Sequence, residues 1–359
     1  MQIDLFCQIV DNYGDIGICW RLARQLGAEH GCHVRLIVDD LGAFRVIAPE
    51  IDPSLARQSL LGVEVVAWRD SDTLTPHAVV IEAFACNPPP SYVEAMATRS
   101  PRPFWINLEY LSAEAWVDQI HGMPSQHQRL PLTKYFFCPG FTEASGGLIR
   151  ERQSVAGATC RNPPDAQSRD TSLLHIRVAP LNVLRIFAFA YPQAPVHALS
   201  QAFATAGVAT TVTFGAALAR SAPHWQAAAP VPQTRFDALL AQFDFLIVRG
   251  EDSFVRAQWA AKPFLWHIYP TDDGAHLIKL DAWLDRYCAG LDANASAAYR
   301  AASRAFNTAA GGTTQSASYE LLVQNVSELA AHALRWRDTL MRQTDLATRL
   351  LTFIAPQER

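Results

Sequence analysis

Residues 3–38, IDLFCQIVDNYGDIGICWRLARQLGAEHGCHVRLIV, decide the fold class. The run 3–10 is apolar and β-prone. The turn formers of DNYGDIG follow it, and then Ile16, Cys19, Ala23 and Leu26 recur at helical spacing. Gly31 stops that helix, and HVRLIV at 33–38 is the next strand-length run. Strand, turn, helix and strand in this order form a β-α-β unit, whose parallel strands are buried on both faces and therefore read as near-continuous apolar runs.

The alternation continues on either side of a polar gap. Residues 63–68, 78–83 and 104–108 read as strands, 91–97 and 113–120 as helices, and 134–138 as a short apolar run before the loop PGFTEASGG. Residues 150–170, RERQSVAGATCRNPPDAQSRD, are polar, proline-bearing and aperiodic, which reads as a linker or exposed loop. A second set then begins: strands at 183–190, 209–214, 243–248 and 263–267, helices at 197–206, 236–241 and 253–260, and an Ala/Pro-rich loop at 221–233. Beyond Gly311-Gly312 the chain reads as helical to its end. At ~100–200 residues per domain, a chain of 359 residues fits two α/β domains.

Composition narrows the class. Half the residues are hydrophobic, so each domain can bury a core. The formal net charge of −4 speaks against a nucleic-acid binder, which carries a basic field. The seven cysteines are odd in number and form no CxxC, a pattern of buried thiols in a reducing, cytoplasmic setting. No basic run leading into a long apolar stretch opens the chain, and nothing approaches the ~20 apolar residues of a membrane span.

Ligands of open α/β sheets gather at the carboxyl ends of the strands, so the chemistry is sought there. Val248-Arg249-Gly250-Glu251-Asp252-Ser253 ends one strand and opens a helix. Arg249 offers a fork of donors to a phosphate, the helix N-terminus adds N–H groups and a positive dipole end, Asp252 or Ser253 can cap the helix, and Glu251 suits a sugar hydroxyl. An ordinary helix start with a surface arginine has the same letters. Asp11-Asn12-Tyr13-Gly14-Asp15-Ile16-Gly17 follows the first strand. It is not GxGxxG; its carboxylates can orient a nucleophile or accept its proton, or serve as turn and N-cap residues. Glu82, Phe84 and the junction Asn107-Leu108-Glu109-Tyr110-Leu111-Ser112 read as structural, with Ser112 and Glu114 starting a helix. His267 and His276 are nine residues apart with no HExxH, so a packing or capping role outweighs a metal site. Neither GxSxG nor GxxxxGK[ST] is present.

Four blocks, DNYGDIGICWRLARQL, WINLEYLSAEAWV, FFCPGFTEASGGL and VRGEDSFVRAQWAAKPFLWHIYP, resemble the bacterial protein-arginine rhamnosyltransferases that activate translation elongation factor P. The resemblance runs from Asp4 to about Leu280. It implies a GT-B glycosyltransferase: an α/β protein of two Rossmann-like domains facing a central cleft, with the C-terminal helix packing back on the N-domain. The domains then read as 1–165 with 338–359 for the acceptor and 166–337 for the nucleotide sugar. The donor implied is dTDP-β-L-rhamnose and the acceptor an arginine on a loop of elongation factor P. The anomeric centre inverts, and no metal, cofactor, nucleic acid or membrane takes part. Asp11 and Asp15 match the family's essential aspartates, with Asp15 in the general base's place, and Glu251 matches its essential glutamate. Arg249, Asp252 and Ser253 match the rest of the donor block, Tyr191 an aromatic at the nucleotide, and Phe254 and Gln258 positions near the base. Thr271-Asp272-Asp273-Gly274 departs from the family, which has a Gln/Glu-rich run after IYP. Two other readings fit the same blocks: a GT-B transferase with another nucleotide sugar or acceptor, and a non-catalytic elongation-factor-binding protein. The paired aspartates speak against the second.

Overall fold

In the computed structural model the described residues are 1–11, 13–152, 184–206, 210–214, 216–220, 222, 225–308 and 313–355. From residue 153 on, the expected linker lies outside them, as do Cys160, the 165/166 boundary and the start of the expected strand 183–190. The chain divides into two compact units, residues 1–151 with 343–359 and residues 152–342.

The first unit holds an eight-stranded sheet in the order β3-β4-β2-β1-β5-β6-β8-β7. Its strands are β1 (Gln2–Cys7), β2 (His33–Val38), β3 (Arg57–Leu60), β4 (Val63–Ala67), β5 (Val79–Ala83), β6 (Phe104–Leu108), β7 (Pro124–Gln126) and β8 (Thr133–Phe137). Pairing is parallel except at the two margins, where β3 runs against β4 and β7 against β8. The second unit holds a parallel sheet in the order β11-β10-β9-β12-β13, from β9 (Arg185–Ala188), β10 (Thr210–Phe214), β11 (Trp225–Ala228), β12 (Phe245–Arg249) and β13 (Phe264–His267). Counting only parallel strands in chain order, both sheets run in the Rossmann sense, 3-2-1-4-5 with a sixth strand in the first unit. The order reverses between β1 and β5 in one sheet and between β9 and β12 in the other, and the crevice at such a reversal is where ligands of this fold bind.

The opening unit forms as its sequence suggests, with two instructive differences. The strand stops at Cys7 rather than at residue 10: Val10 is 67% exposed, and its N–H goes to the Asp15 carboxylate instead of to a neighbouring strand. The helix Gly14–His30 ends at Gly31, whose φ of 67° permits the left-handed cap that ties its N–H back to Gly27 O. Its apolar stripe is buried, and so are Arg21 and Gln25 on the far side. Arg21 makes a two-pronged pair with Glu151 at 2.6 and 2.7 Å, and Gln25 donates to Arg150 O and Asp345 Oδ1. Those partners supply the hydrogen bonds that a buried guanidinium and amide require.

The helix Leu346–Ile354 belongs to the first unit, where Phe353 packs among Phe104, His121, Tyr135 and Phe137. Arg349 on that helix donates to the carbonyls of Thr142, Glu143 and Ser145 at 2.7–3.1 Å and to the Glu143 carboxylate at 2.7 Å, holding the PGFTEASGG loop. Gly147 in that loop sits at φ 74° with Thr344 O where a Cβ would be, so the close approach requires glycine.

Some elements depart from expectation. The reading placed nothing between 268 and 310, yet helices Ala275–Tyr287 and Ala293–Asn307 lie there, the second capped by Asp292 accepting from Asn294 and Ala295 N–H. β11 crosses the stretch read as an Ala/Pro-rich loop, and β3 was absent from the reading. No helix among the described residues is long and apolar enough to cross a membrane.

Candidate active site

At the first unit's reversal, Asp15 lies in the first turn of the helix Gly14–His30 and is 2% exposed. Its Oδ2 accepts from the backbone N–H of Val10 at 2.7 Å and of Asp11 at 2.9 Å. Its Oδ1 accepts from the Tyr110 hydroxyl at 3.2 Å. Asp15 therefore does not cap its own helix; Tyr13 holds the cap position without a side-chain bond, and Asp15 reaches back to pin the end of the strand-to-helix turn. Asp11 is half-buried, with its carboxylate lying over Gly14, where a Cβ would meet Oδ2 at 2.9 Å. Gly14 is thus small because Asp11 occupies the space a side chain would take. The sheet brings Asp11 and Asp15 together with the edges of β5 and β6. Phe84 and Tyr110 stack there with centroids 4.2 Å apart and planes 10° from parallel. Below them Glu82 is fully buried and paired with Lys134 Nζ at 2.5 Å. Burial pushes the Glu82 carboxyl above its ordinary range, and the Lys134 ammonium works against that.

At the second unit's reversal the turn Arg249-Gly250-Glu251 links β12 to the helix Asp252–Ala260, as expected. Neither Asp252 nor Ser253 caps that helix, in contrast to the sequence reading; Glu251 occupies the cap position, half-buried, without a side-chain cap bond. Ser253 is 4% exposed and its hydroxyl instead bridges both backbone groups of Arg249, accepting the N–H at 3.0 Å and donating to the carbonyl at 2.5 Å. The Trp266 indole donates to Gly250 O at 2.7 Å, and Gly250 N–H donates to His267 O at 3.2 Å. The turn is held from within and from β13, so Arg249 leaves it at a fixed angle. Its guanidinium lies over the rings of Phe189 and Tyr191, 4.3 and 4.8 Å from their centroids. Both aromatics follow β9, so cation–π packing orients the Arg249 fork across the reversal point.

Two further residues hold this edge, of which Gln233 was missed in the sequence. His267, read as packing or capping rather than as a metal ligand, is buried and accepts the Tyr191 N–H on Nδ1 at 3.2 Å, which places its own proton on Nε2. Burial, with Arg249 and His276 adding positive charge nearby, lowers its pKa to about 4. Gln233, at the start of the helix Gln233–Leu240, donates to Asp252 Oδ2 at 3.0 Å. The Asp252 carboxylate also accepts from Arg256, which in turn pairs with Asp237 at 2.6 Å. Nothing local in the sequence connects residues this far apart; only the strand order brings them to one edge.

Phe254 and Gln258 are placed differently from the rest. Phe254 is fully buried, stacked on Trp266 at 3.8 Å and edge-on to Trp283. Gln258 is buried with its amide oxygen taking the Trp336 indole N–H at 2.6 Å. Both side chains pack against tryptophans of the second unit. Among the described residues no three His, Cys, Asp or Glu side chains gather as a metal-ligand set. His276 makes its contacts with Thr271 and Asn307 O.

Two Rossmann sheets in one chain, each with its reversal edge furnished, are the architecture of GT-B glycosyltransferases, and solved structures bear this out. VinC, a glycosyltransferase solved in complex with dTDP, superposes over the whole of both chains with a TM-score of 0.55 at 12% identity, and the calicheamicin glycosyltransferase CalG4 over 98% of each with 0.52 at 12%. At such identity the likeness shows the fold alone. The chain matches the family described as Elongation-Factor P (EF-P) rhamnosyltransferase EarP over residues 3–355, and it belongs to that family. It is 43% identical to the protein-arginine rhamnosyltransferase of Pseudomonas putida, across 98% of this chain and 97% of that one. It is 34% identical to that of Neisseria meningitidis serogroup B, across 99% and 97%. A structure solved for EarP-mediated arginine glycosylation of translation elongation factor EF-P matches 99% of both chains, with a TM-score of 0.67 and 30% identity. The protein is a glycosyltransferase.

Proposed function

We propose that this enzyme transfers L-rhamnose from dTDP-β-L-rhamnose to an arginine side chain of elongation factor P, with inversion at the anomeric carbon. The observation that carries the reading is the division of charge between the two reversal edges. A pair of carboxylates, Asp11 and Asp15, stands at one, and Arg249, held on two aromatic rings beside a helix N-terminus, stands at the other. Membership of the EarP family and relatives named protein-arginine rhamnosyltransferase support it.

The chemistry follows from the groups present. A guanidinium has a pKa above about 12 and is a poor nucleophile. Asp15 hydrogen-bonds one of its nitrogens, localises the positive charge and accepts the proton as the C–N bond forms. Asp11 takes the other side of the fork, and two carboxylates compensate the burial of the cation. As the C–O bond to the diphosphate breaks, negative charge grows on dTDP; Arg249 and the N-terminus of the helix Asp252–Ala260 stabilise it. Tyr191 packs the nucleotide, the Ser253 hydroxyl holds Arg249 in place, and Glu251 faces the sugar. Asp252 contributes through Arg256 and Gln233. Phe254 and Gln258 are the residues proposed near the base, each fixed by its contact with a tryptophan behind the turn. A single displacement through an oxocarbenium-like state inverts the centre. The setting is the cytoplasm, where a translation factor is met; the six described cysteines are buried and form no disulfide among themselves.

The test is intact-mass analysis of elongation factor P after incubation with this protein and dTDP-rhamnose. A gain of one deoxyhexose is expected, abolished by Asp15→Asn with dTDP-rhamnose binding retained, whereas Arg249→Ala weakens the donor. No gain with a competent acceptor refutes the reading. Competition by UDP- and GDP-sugars checks the donor.

A further inference from the structure

The segment Asn107-Leu108-Glu109-Tyr110, which reads in sequence as a plain strand-to-helix junction, reaches Asp15 through the Tyr110 hydroxyl in the structure. Asp15 Oδ2 is committed to two backbone N–H groups, so Oδ1 is the oxygen turned toward a side-chain donor, and the Tyr110 hydroxyl already meets it at 3.2 Å. Tyr110 is 37% exposed, large for an aromatic ring beside a buried carboxylate, and its ring is set by the stack on Phe84. Phe84 itself has φ 57° and Ala85 φ 52°, left-handed backbone that non-glycine residues rarely adopt. The β6 edge holds this strained turn: Phe84 N–H donates to Leu108 O at 2.7 Å and Ala85 N–H to Asn107 Oδ1 at 3.1 Å. Asn107 is buried, and its amide also donates to the Glu109 carboxylate. Two strand ends and a strained turn thus converge on placing one phenol against Asp15, and strain of this kind persists where the surroundings over-determine it.

We propose that Tyr110 is a positioning residue for the acceptor side of the reaction, holding Asp15 Oδ1 toward the incoming guanidinium, with Phe84 as the prop that sets its ring. This rests on the reading of Asp15 as the proton acceptor. Tyr110→Phe keeps the stack and removes only the hydroxyl; Phe84→Leu keeps bulk and removes the stack. Each full-length variant is assayed with elongation factor P and dTDP-rhamnose, and dTDP-rhamnose binding and thermal unfolding are measured alongside. Tyr110→Phe is expected to lower kcat on the order of tenfold while the donor Kd and the melting temperature stay at wild-type values, a split that a merely structural role does not produce. Phe84→Leu is expected to shift kcat the same way, less strongly. Wild-type kcat in Tyr110→Phe overturns the proposal. Asp15→Asn in the same assay separates the two failures: if it is inactive while Tyr110→Phe is normal, only the role of Tyr110 falls, and if it too turns over normally, the assignment of Asp15 falls with it.

Discussion

Replacing Ser253 by Ala removes one oxygen and with it the bridge across Arg249, an accepted bond of 3.0 Å and a donated bond of 2.5 Å at a site 4% exposed. The Arg249 amide and carbonyl then lie part-buried without that partner, which costs about 1–3 kcal/mol. Alanine's better helix propensity returns about 0.5 kcal/mol, so a net loss of about 1–2 kcal/mol is expected. For a unit of this size each kcal/mol lowers the melting temperature by roughly 2–4 °C. The second consequence is functional. A charge-assisted bond from Arg249 to a diphosphate is worth about 1.5–3 kcal/mol, and loosening the turn forfeits about half of it, a rise in donor Kd of about three- to tenfold. Calorimetric titration with dTDP-rhamnose and a thermal scan on the same preparation read both effects, with Arg249→Ala as the upper limit. A lowered melting temperature with donor affinity within twofold of wild type would falsify the claim that the hydroxyl aims Arg249; an unchanged melting temperature would show the bridge to be energetically idle.

The pKa of His267, lowered to about 4 by burial and by the charges of Arg249 and His276, makes the donor edge acid-sensitive. The unfolded chain takes up this proton near pH 6.5 and the folded one only near 4, so stability is complete above about 6.5 and declines as pH falls toward 4, by on the order of 2–4 kcal/mol. His267→Gln should flatten that part of a stability–pH curve, and an unaltered curve would count against it. Asp4 is buried among Arg35, His77 and Tyr92; burial raises its carboxyl, the hydrogen bonds from those three outweigh it, and the net shift is downward. Its stabilisation is therefore present above the unfolded value of about 3.9 and lost below it, and Asp4→Ala should lower stability in denaturant by about 3–5 kcal/mol with donor affinity retained. Arg349→Ala should speed hydrogen exchange at 140–147, since that guanidinium holds three carbonyls of the loop; unchanged exchange there would refute the clamp.

Legibility followed how far apart the cooperating residues lie. The β-α-β opening and the Arg249 turn were readable because apolar runs, glycines and charges fall within a few residues of one another. The end of β1 was misplaced by three residues because Val10 is apolar in composition but gives its N–H to Asp15, a competition that periodicity does not register. Ser253 read as a cap because serine at a helix start usually is one, whereas its bond runs back to the preceding strand. Phe254 and Gln258 lie close to the donor turn in sequence, yet the helix turns both side chains into packing against Trp266 and Trp336. The partners of His267 and Tyr110, Tyr191 and Asp15, were not legible because they lie 76 and 95 residues away in the chain.

The return of the helix Leu346–Ile354 to the first unit makes that unit discontinuous in the chain, with residues 152–342 lying between its two parts. On the ribosome, the opening sheet is synthesised first but waits for its last helix, and for the Arg349 clamp, until the entire second unit has been made. At about 5–20 residues per second that interval is roughly ten to forty seconds. Throughout it the surface that will receive Phe353 stays uncovered, so the nascent protein needs protection for longest at the part it makes earliest.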